Sequence, residues 1–473
     1  MLIKNRIITI TTLVCFILST GLVAAPEVSG ITIQEERELA KEFMAVVEAR
    51  YPLIKDPIIL DYVNKVGQRI VAAVPPQPFT YQFHVLKEDT YNAFATPAGH
   101  IFINSGLFAA LESEEELAGI IGHEITHVVC RHISDRIENQ KKIGMATLAG
   151  MIAGVMLGAG GAAEAASAVT VGSMAAGQTA SLAYSRKDET QADQLGLEYL
   201  TQAGYSGEGL LTSLKKIRSK QWYSSEQIPT YISTHPGSEE RMSYIDNWLH
   251  QNHAKQGRPS REVGGFKLVH TRLIALYTDE QLAVKRYQTA VETSPDDALA
   301  HYGYALALTR MEKWDLAAEH MQRAIEGNAL ATHMLQDLGR IYFHGGAYEK
   351  ALQTLSTASS TNNPESQLYL GRTQMELGRM AEARETFETL VRYNQDYTLG
   401  YYYLGESSGR LGDMFGAHYN LGRFYQQKGD RKNADFHLKR ALKMAANASQ
   451  KQMVERQLEE LKDPKKNNPH GQG

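Results

Sequence analysis

The stretch Ser113-Glu-Glu-Glu-Leu-Ala-Gly-Ile-Ile-Gly-His123-Glu124-Ile125-Thr126-His127-Val128 decides how the N-terminal half of the chain is read. His123 and His127 are four residues apart, so a helix places both imidazoles on one face, one turn above each other, within reach of a single Zn²⁺. Glu124 then points close to that metal without ligating it, where it can take a proton from water. Leu117, Ile120, Ile121, Ile125 and Val128 supply an apolar stripe at helical spacing. Ser113 and Glu116 form an S-x-x-E capping box that would start the helix. The alternative is a pair of ordinary core or surface histidines on an unremarkable helix.

A catalytic zinc keeps three protein ligands and one open position, so a third ligand must come from elsewhere. Tyr184-Ser185-Arg186-Lys187-Asp188-Glu189-Thr190-Gln191-Ala192-Asp193 opens a second apolar-periodic helix and is the natural donor. Glu189 and Asp193 are one turn apart. Glu189 can ligate the metal while Asp193 accepts a hydrogen bond from the free ring nitrogen of a ligating histidine. The competing reading is a solvated acidic helix start. Cys130, three residues past His127, has poor geometry for the same site and reads as a buried bystander. His132 reads as a polar neighbour facing elsewhere on the helix.

Around these segments, residues 31–75 read as helical, and Pro75, Pro76 and Pro78 break the pattern. Tyr81-Gln82-Phe83-His84-Val85-Leu86 alternates as a strand, and Asn92 to Ile103 reads as strand, Pro/Gly turn and strand. The net charge of −4 over 473 residues, without a basic stripe, excludes nucleic acid as a partner. Lys4 and Arg6 precede an uncharged run from Ile7 to Val23, with small residues at Ala24 and Ala25. That is the layout of a secretory signal peptide over 1–25 and implies a periplasmic address; a retained anchor is the alternative. The mature chain would then hold one thiol, Cys130, and no internal disulfide. Ile143 to Ala163 carries no charge but is rich in glycine and alanine. A small-residue helical hairpin across 143–183 is preferred to a membrane span, with membrane-surface contact as the second reading.

The C-terminal half repeats itself. Ala283, Ala317, Ala351, Ala383 and Ala417 recur at intervals of 34, 34, 32 and 34 residues, and Ala305, Gly339, Gly371 and Gly405 at 34, 32 and 34. A period near 34 with small residues at helix contacts is the tetratricopeptide signature. Gly422, Gly429 and Ala434 start a shifted terminal pair 17 residues beyond the previous set. These readings predict a mostly α chain: a zincin-like metallopeptidase domain with a small β-sheet at 26–262, an α-solenoid of tetratricopeptide repeats at 263–462, and a disordered tail at 463–473.

His123-Glu124-x-x-His127, the Ser185-Arg186-x-x-Glu189-x-x-Ala192-Asp193 block and Asn92-Ala93-Phe94-Ala95 together resemble the zinc metallopeptidases related to CAAX prenyl proteases and HtpX. With the N-terminal signal and the repeats, the chain is similar to their periplasmic β-barrel assembly-enhancing subgroup. The resemblance implies one zinc held by His123, His127 and Glu189, with Glu124 as general base. It also implies repeats that recruit unfolded or misassembled outer-membrane proteins and their assembly machinery. Thr234-His235-Pro236 with Glu240-Arg241 resembles the family's His-Pro segment. His235 could stabilise the oxyanion of the tetrahedral intermediate, or fill the water position and silence the site. The resemblance thus leaves two functions in play: a periplasmic zinc endopeptidase, and an assembly scaffold acting through its repeats while the protease stays latent.

Overall fold

The computed structural model describes residues 31–138, 147, 149, 150, 152, 154, 184–223, 230–252, 265–326, 332–358 and 363–462. The expected signal peptide, most of the 143–183 segment and the 463–473 tail lie outside the described residues. Two compact units result, Met1–Leu273 and Ile274–Gly473.

In the first unit, the expected helical stretch before the prolines divides into α1 (Ile33–Arg50) and α2 (Pro57–Val71). The break has a local cause. Asp56 accepts from the backbone N–H groups of Ile58 and Ile59, and Pro57 occupies the first helical turn. A three-stranded sheet follows, in the order β1 (Gln82–Leu86), β3 (His100–Asn104), β2 (Ala93–Ala95). β1 pairs parallel with β3, and β2 antiparallel. The turn between β2 and β3 puts Ala98 at φ 62°. Phe94 and Phe102 stack across β2 and β3 with centroids 4.9 Å apart, and Phe43 of α1 packs edge-on to both.

After the short α3 (Ser105–Ala110) comes α4 (Glu114–Val129), which carries both histidines of the motif and is almost wholly buried. Ser113 accepts from Glu116 N–H as expected. The reciprocal half of the box is absent, because the Glu116 carboxylate binds Glu112 N–H and the Lys216 ammonium instead. α5 (His132–Glu138), α6 (Arg186–Gln202), α7 (Glu208–Tyr223), α8 (Thr230–Thr234) and α9 (Ser238–Gln251) complete the surroundings. Two glycine contacts set the depth of α4. A β-carbon on Gly119 would fall 2.5 Å from Leu210 N at the crossing with α7, and Gly209 of that helix would meet Glu115 O at 2.0 Å. On α6, Gly196 lies against Gly122 O and His123 Cα, at 3.6 and 3.7 Å from a β-carbon position. Glu189 and Asp193, on the two turns preceding Gly196, are thereby carried to His123. Among the described residues no helix is long and apolar enough to cross a membrane.

α10 (Phe266–Tyr277) runs across the division between the units. The second unit is a series of helices: α11 (Glu280–Thr293), α12 (Ala298–Arg310), α13 (Trp314–Glu326), α14 (Thr332–His344), α15 (Tyr348–Ala358), α16 (Pro364–Glu376), α17 (Met380–Tyr393), α18 (Thr398–Arg410), α19 (Met414–Gln427), α20 (Arg431–Met444) and α21 (Ala448–Lys462). Ala283, Ala317, Ala351, Ala383 and Ala417 are all buried. Gly339, Gly371 and Gly405 each face a large residue sixteen positions on: Leu355, Phe387 and Leu421. Gly422 meets Leu438 at the same offset. α19 therefore closes one helix pair and opens the next, which is the structural form of the 17-residue shift.

Candidate metal centre

His123, His127, Glu189 and His235 are buried, and one ligand atom from each falls within 4.8 Å of the others. His123 Nε2 and His127 Nε2 are 3.0 Å apart. Glu189 reaches both, with Oε2 3.4 Å from His123 Nε2 and Oε1 3.5 Å from His127 Nε2. His235 follows the short α8, and its backbone N–H bonds to Tyr231 O.

The outer nitrogens of these histidines all have partners, which sets which atom faces inward. His123 Nδ1 lies 3.0 Å from Asp193 Oδ1. His127 Nδ1 lies 2.9 Å from His132 Nδ1, and His132 Nε2 lies 3.2 Å from Gln191 Oε1. The consistent proton assignment has His132 donating to Gln191 and accepting from His127. His235 Nδ1 is 2.9 Å from Thr234 Oγ1, whose hydroxyl reaches Thr230 O. Each imidazole thus turns Nε2 toward the common centre.

Orphaned atoms line that centre. Both oxygens of Glu124, both of Glu189, and His235 Nε2 are buried without a hydrogen-bond partner, although such groups are rarely left unsatisfied. Three imidazole nitrogens and a carboxylate, all buried and aimed inward, fit a divalent metal of borderline softness.

The sequence reading did not give Arg241 a role. It is buried and donates from Nε to Asp193 Oδ2 at 2.7 Å and from Nη2 to Asp193 Oδ1 at 2.8 Å. Its Nη1 sits 2.6 Å from Glu189 Oε2 as an ion pair. Burial acts to raise the pKa of Asp193 and Glu189, but Arg241 and the neighbouring histidines together outweigh it: Asp193 is lowered to about 2 and Glu189 is also lowered. Burial and Arg241 act against a charged His123, yet hydrogen bonds to Asp193 and Glu189 raise it to about 9. Burial, followed by the neighbouring histidines, pushes His127 well below the usual imidazole range. Two tyrosines were also missed. Tyr184 stacks on His127 at 3.6 Å, and Tyr231 on His235 at 4.2 Å. No periodicity marks such rings. Only the position of Tyr184 beside the Glu189 segment, and of Arg241 six residues after His235, could have hinted at them.

One expectation is corrected. His132 does not face away from the site. α4 ends at Val129, and Arg131 adopts φ 54°, so the chain folds back and returns His132 to the ring of His127. Cys130 caps α4 as a partly exposed free thiol outside the four-residue group, its pKa raised by burial to about 11.

Residues 61–249 match Peptidase family M48, and 281–329, 305–366, 365–396 and 415–447 match tetratricopeptide repeats. The Beta-barrel assembly-enhancing protease of Escherichia coli (strain K12) is 27% identical over 396 residues, 81% of this chain and 78% of that protein. The Putative beta-barrel assembly-enhancing protease of Vibrio cholerae is 29% identical over 61% of this chain and 60% of its own length. Mitochondrial metalloendopeptidase OMA1 of Schizosaccharomyces pombe is 27% identical over 41% of this chain and 54% of its own. The chain therefore joins a metallopeptidase domain of family M48 to a C-terminal series of tetratricopeptide repeats.

Proposed function

We propose that this metallopeptidase is a zinc-dependent endopeptidase of the periplasm. His123, His127 and Glu189 hold the metal, Glu124 is the general base, and Asp193 positions His123. The repeats bind outer-membrane proteins, their misassembled forms and the assembly machinery. The observation that carries this reading is the buried, inward-facing set of His123, His127, Glu189 and His235, in which both Glu189 oxygens and His235 Nε2 make no hydrogen bond.

A zinc ion bound there would acidify a water molecule and polarise a peptide carbonyl. Glu124 follows His123 directly, and both its oxygens are buried without partners. It takes the proton of the attacking water and passes it to the departing amine. Asp193 holds the outer nitrogen of His123, and Arg241 clamps Asp193 with two hydrogen bonds. That chain of contacts fixes the ring by its second nitrogen.

His235 belongs to the same group and sits 3.3 Å from Glu124 Oε1. In that position its Nε2 competes for the place that water needs, which makes the resting protein latent. This placement is the observation that favours the second reading, a scaffold whose repeats act while the protease is silent. The relatives named for β-barrel assembly support the proposed clients, and the charged, then uncharged, N-terminal sequence supports export.

The test is paired. Wild-type protein should carry about one zinc per chain. Glu124→Gln should retain it while cleavage of casein or a misfolded barrel protein collapses, and Glu189→Ala should lose most of the metal. Full zinc retention in Glu189→Ala, or undiminished turnover in Glu124→Gln, would overturn the corresponding role. A scaffold function would survive Glu124→Gln in cells.

A further inference from the structure

Two buried phenols border the metal centre, and neither belongs to the ligand set. Tyr184 and Tyr231 are 3% and 1% exposed, and among the described residues neither hydroxyl has a hydrogen-bond partner. A buried tyrosine O–H ordinarily finds one. The other unpartnered groups here, the carboxylates of Glu124 and Glu189 and Nε2 of His235, offer lone pairs. A bound cation answers lone pairs. It does nothing for an O–H with a proton to give, and a phenol keeps its proton at neutral pH. In a reacting complex, the acceptor that enters this space is the carbonyl oxygen of the peptide bond.

The two hydroxyls differ in what surrounds them. Of the charged groups acting on Tyr184, Glu124 is the strongest and Glu189 the next. For Tyr231 the strongest is Arg241, with Glu124 after it. Tyr184 therefore faces the base that activates water, whereas Tyr231 faces the clamp on Asp193. Tyr184 is also held on three sides. Its ring stacks on His127 at 3.6 Å, its backbone N–H bonds to Thr234 O at 3.2 Å, and Ser185 beside it starts α6 with a capping box closed by Asp188. A donor fixed before the substrate arrives needs no reorganisation as charge develops. That is the condition for favouring the transition state over the bound substrate.

We infer that Tyr184 is a catalytic residue, its phenol O–H donating a hydrogen bond to the scissile carbonyl oxygen as that oxygen gains negative charge. The phenol keeps its proton throughout, and proton transfer stays with Glu124. This rests on the peptidase reading above and adds to it a donor that is neither a metal ligand nor His235.

Tyr184→Phe removes one oxygen and keeps the ring on His127. Turnover of a quenched fluorescent peptide should fall about 10²–10³-fold in kcat with KM nearly unchanged. The loss should appear both in the parent and in a His235→Ala background, so that a closed resting site does not hide it. A phosphinic peptide, whose tetrahedral anion resembles the transition state, should bind more weakly by a similar factor, while zinc content and melting stay at the parent's values. Tyr231→Phe is the comparison and should lose less. Parent-like turnover and phosphinate binding in Tyr184→Phe overturns the proposal, as does a loss confined to KM or a larger loss in Tyr231→Phe. Loss of zinc in Tyr184→Phe overturns it in favour of a phenol that ligates the metal. Undiminished turnover in Glu124→Gln would bring down the peptidase reading itself, whereas an inactive Glu124→Gln beside an indifferent Tyr184→Phe refutes the donor alone.

Discussion

Gly119→Ala tests whether the depth of α4 in the fold sets the geometry of the metal group. The new β-carbon would sit 2.5 Å from Leu210 N and 2.7 Å from Leu210 Cα. Comfortable contact needs about 3.5–4.0 Å, so α4 and α7 must separate by about 1 Å. Both obstructing atoms are backbone, and no side-chain rotation relieves them. Overpacking of this kind costs up to about 3 kcal/mol, and the better helix propensity of alanine offsets about 1 kcal/mol of it. The net loss of about 2 kcal/mol should lower the melting temperature by about 4–8 °C for a unit of this size. The effect on catalysis is larger. Gly119 is one turn before His123, and a displacement of about 1 Å at a reacting group can cost about 10²-fold in rate. Scanning fluorimetry and cleavage of a quenched fluorescent peptide measure the two effects. Gly196→Ala grades the effect, since its β-carbon would meet Thr126 Oγ1 at 3.3 Å and Gly122 O and His123 Cα at 3.6 and 3.7 Å; it should lose less than Gly119→Ala in both assays. Parent-like melting and turnover in Gly119→Ala would refute the argument that this close approach positions the site.

His235→Ala should raise basal proteolysis, including self-cleavage, if the imidazole holds the resting site closed. A fall of about 10²–10³-fold would instead assign it to the oxyanion, and unchanged activity would reject both roles. Ala351 is fully buried, so Ala351→Leu should destabilise the repeats by about 1–3 kcal/mol and weaken client pull-down. Cleavage of a short peptide should remain nearly intact; a parallel fall in both would show that the halves do not work separately. His84 and His100 stack on the sheet, and burial lowers their pKa values to about 3 and about 4, with His100 adding to the shift of His84. Both are neutral in the fold and take up protons on unfolding, so their contribution is complete above the ordinary value of 6.5 and is lost as pH falls toward 4. The slope is about 1.4 kcal/mol per histidine per pH unit. Melting curves of the parent and His84→Phe between about pH 7 and about pH 5 should show a flatter dependence in the variant; superimposable curves would exclude the pair as the cause.

What could be read from the sequence was periodic or tightly spaced. The helix bearing His123 and His127 announces itself through its apolar stripe, and the repeats through small residues returning every 34 positions. The placement of Glu189 and Asp193 beside His123 could be anticipated because the motif upstream asks for a third ligand from another segment. The return of His132 could not, since it depends on a left-handed residue at Arg131, a position where neither glycine nor asparagine gives warning. Arg241 was invisible for a different reason. A lone arginine carries no pattern, and its two carboxylate partners lie 48 and 52 residues away in sequence. The strand order β1-β3-β2 was likewise out of reach, because the parallel pairing of β1 with β3, which passes over β2 in sequence, leaves no mark on the alternation of either strand.

Arg241 also sets the valence that the buried chamber accepts. Counted as carboxylates, Glu124, Glu189 and Asp193 bring three negative charges, and Arg241 returns one positive charge. His123, raised to about 9, gives up its second proton to an arriving cation, and with each imidazole then holding a single proton the enclosure stands two charges from neutrality. A doubly charged cation closes that gap in one step. A singly charged ion leaves an uncompensated anion among buried side chains, and a triply charged one leaves an uncompensated cation, and both are costly to bury. An arginine outside the proposed set of metal ligands thereby matches the formal charge of the enclosure to that of a doubly charged cation.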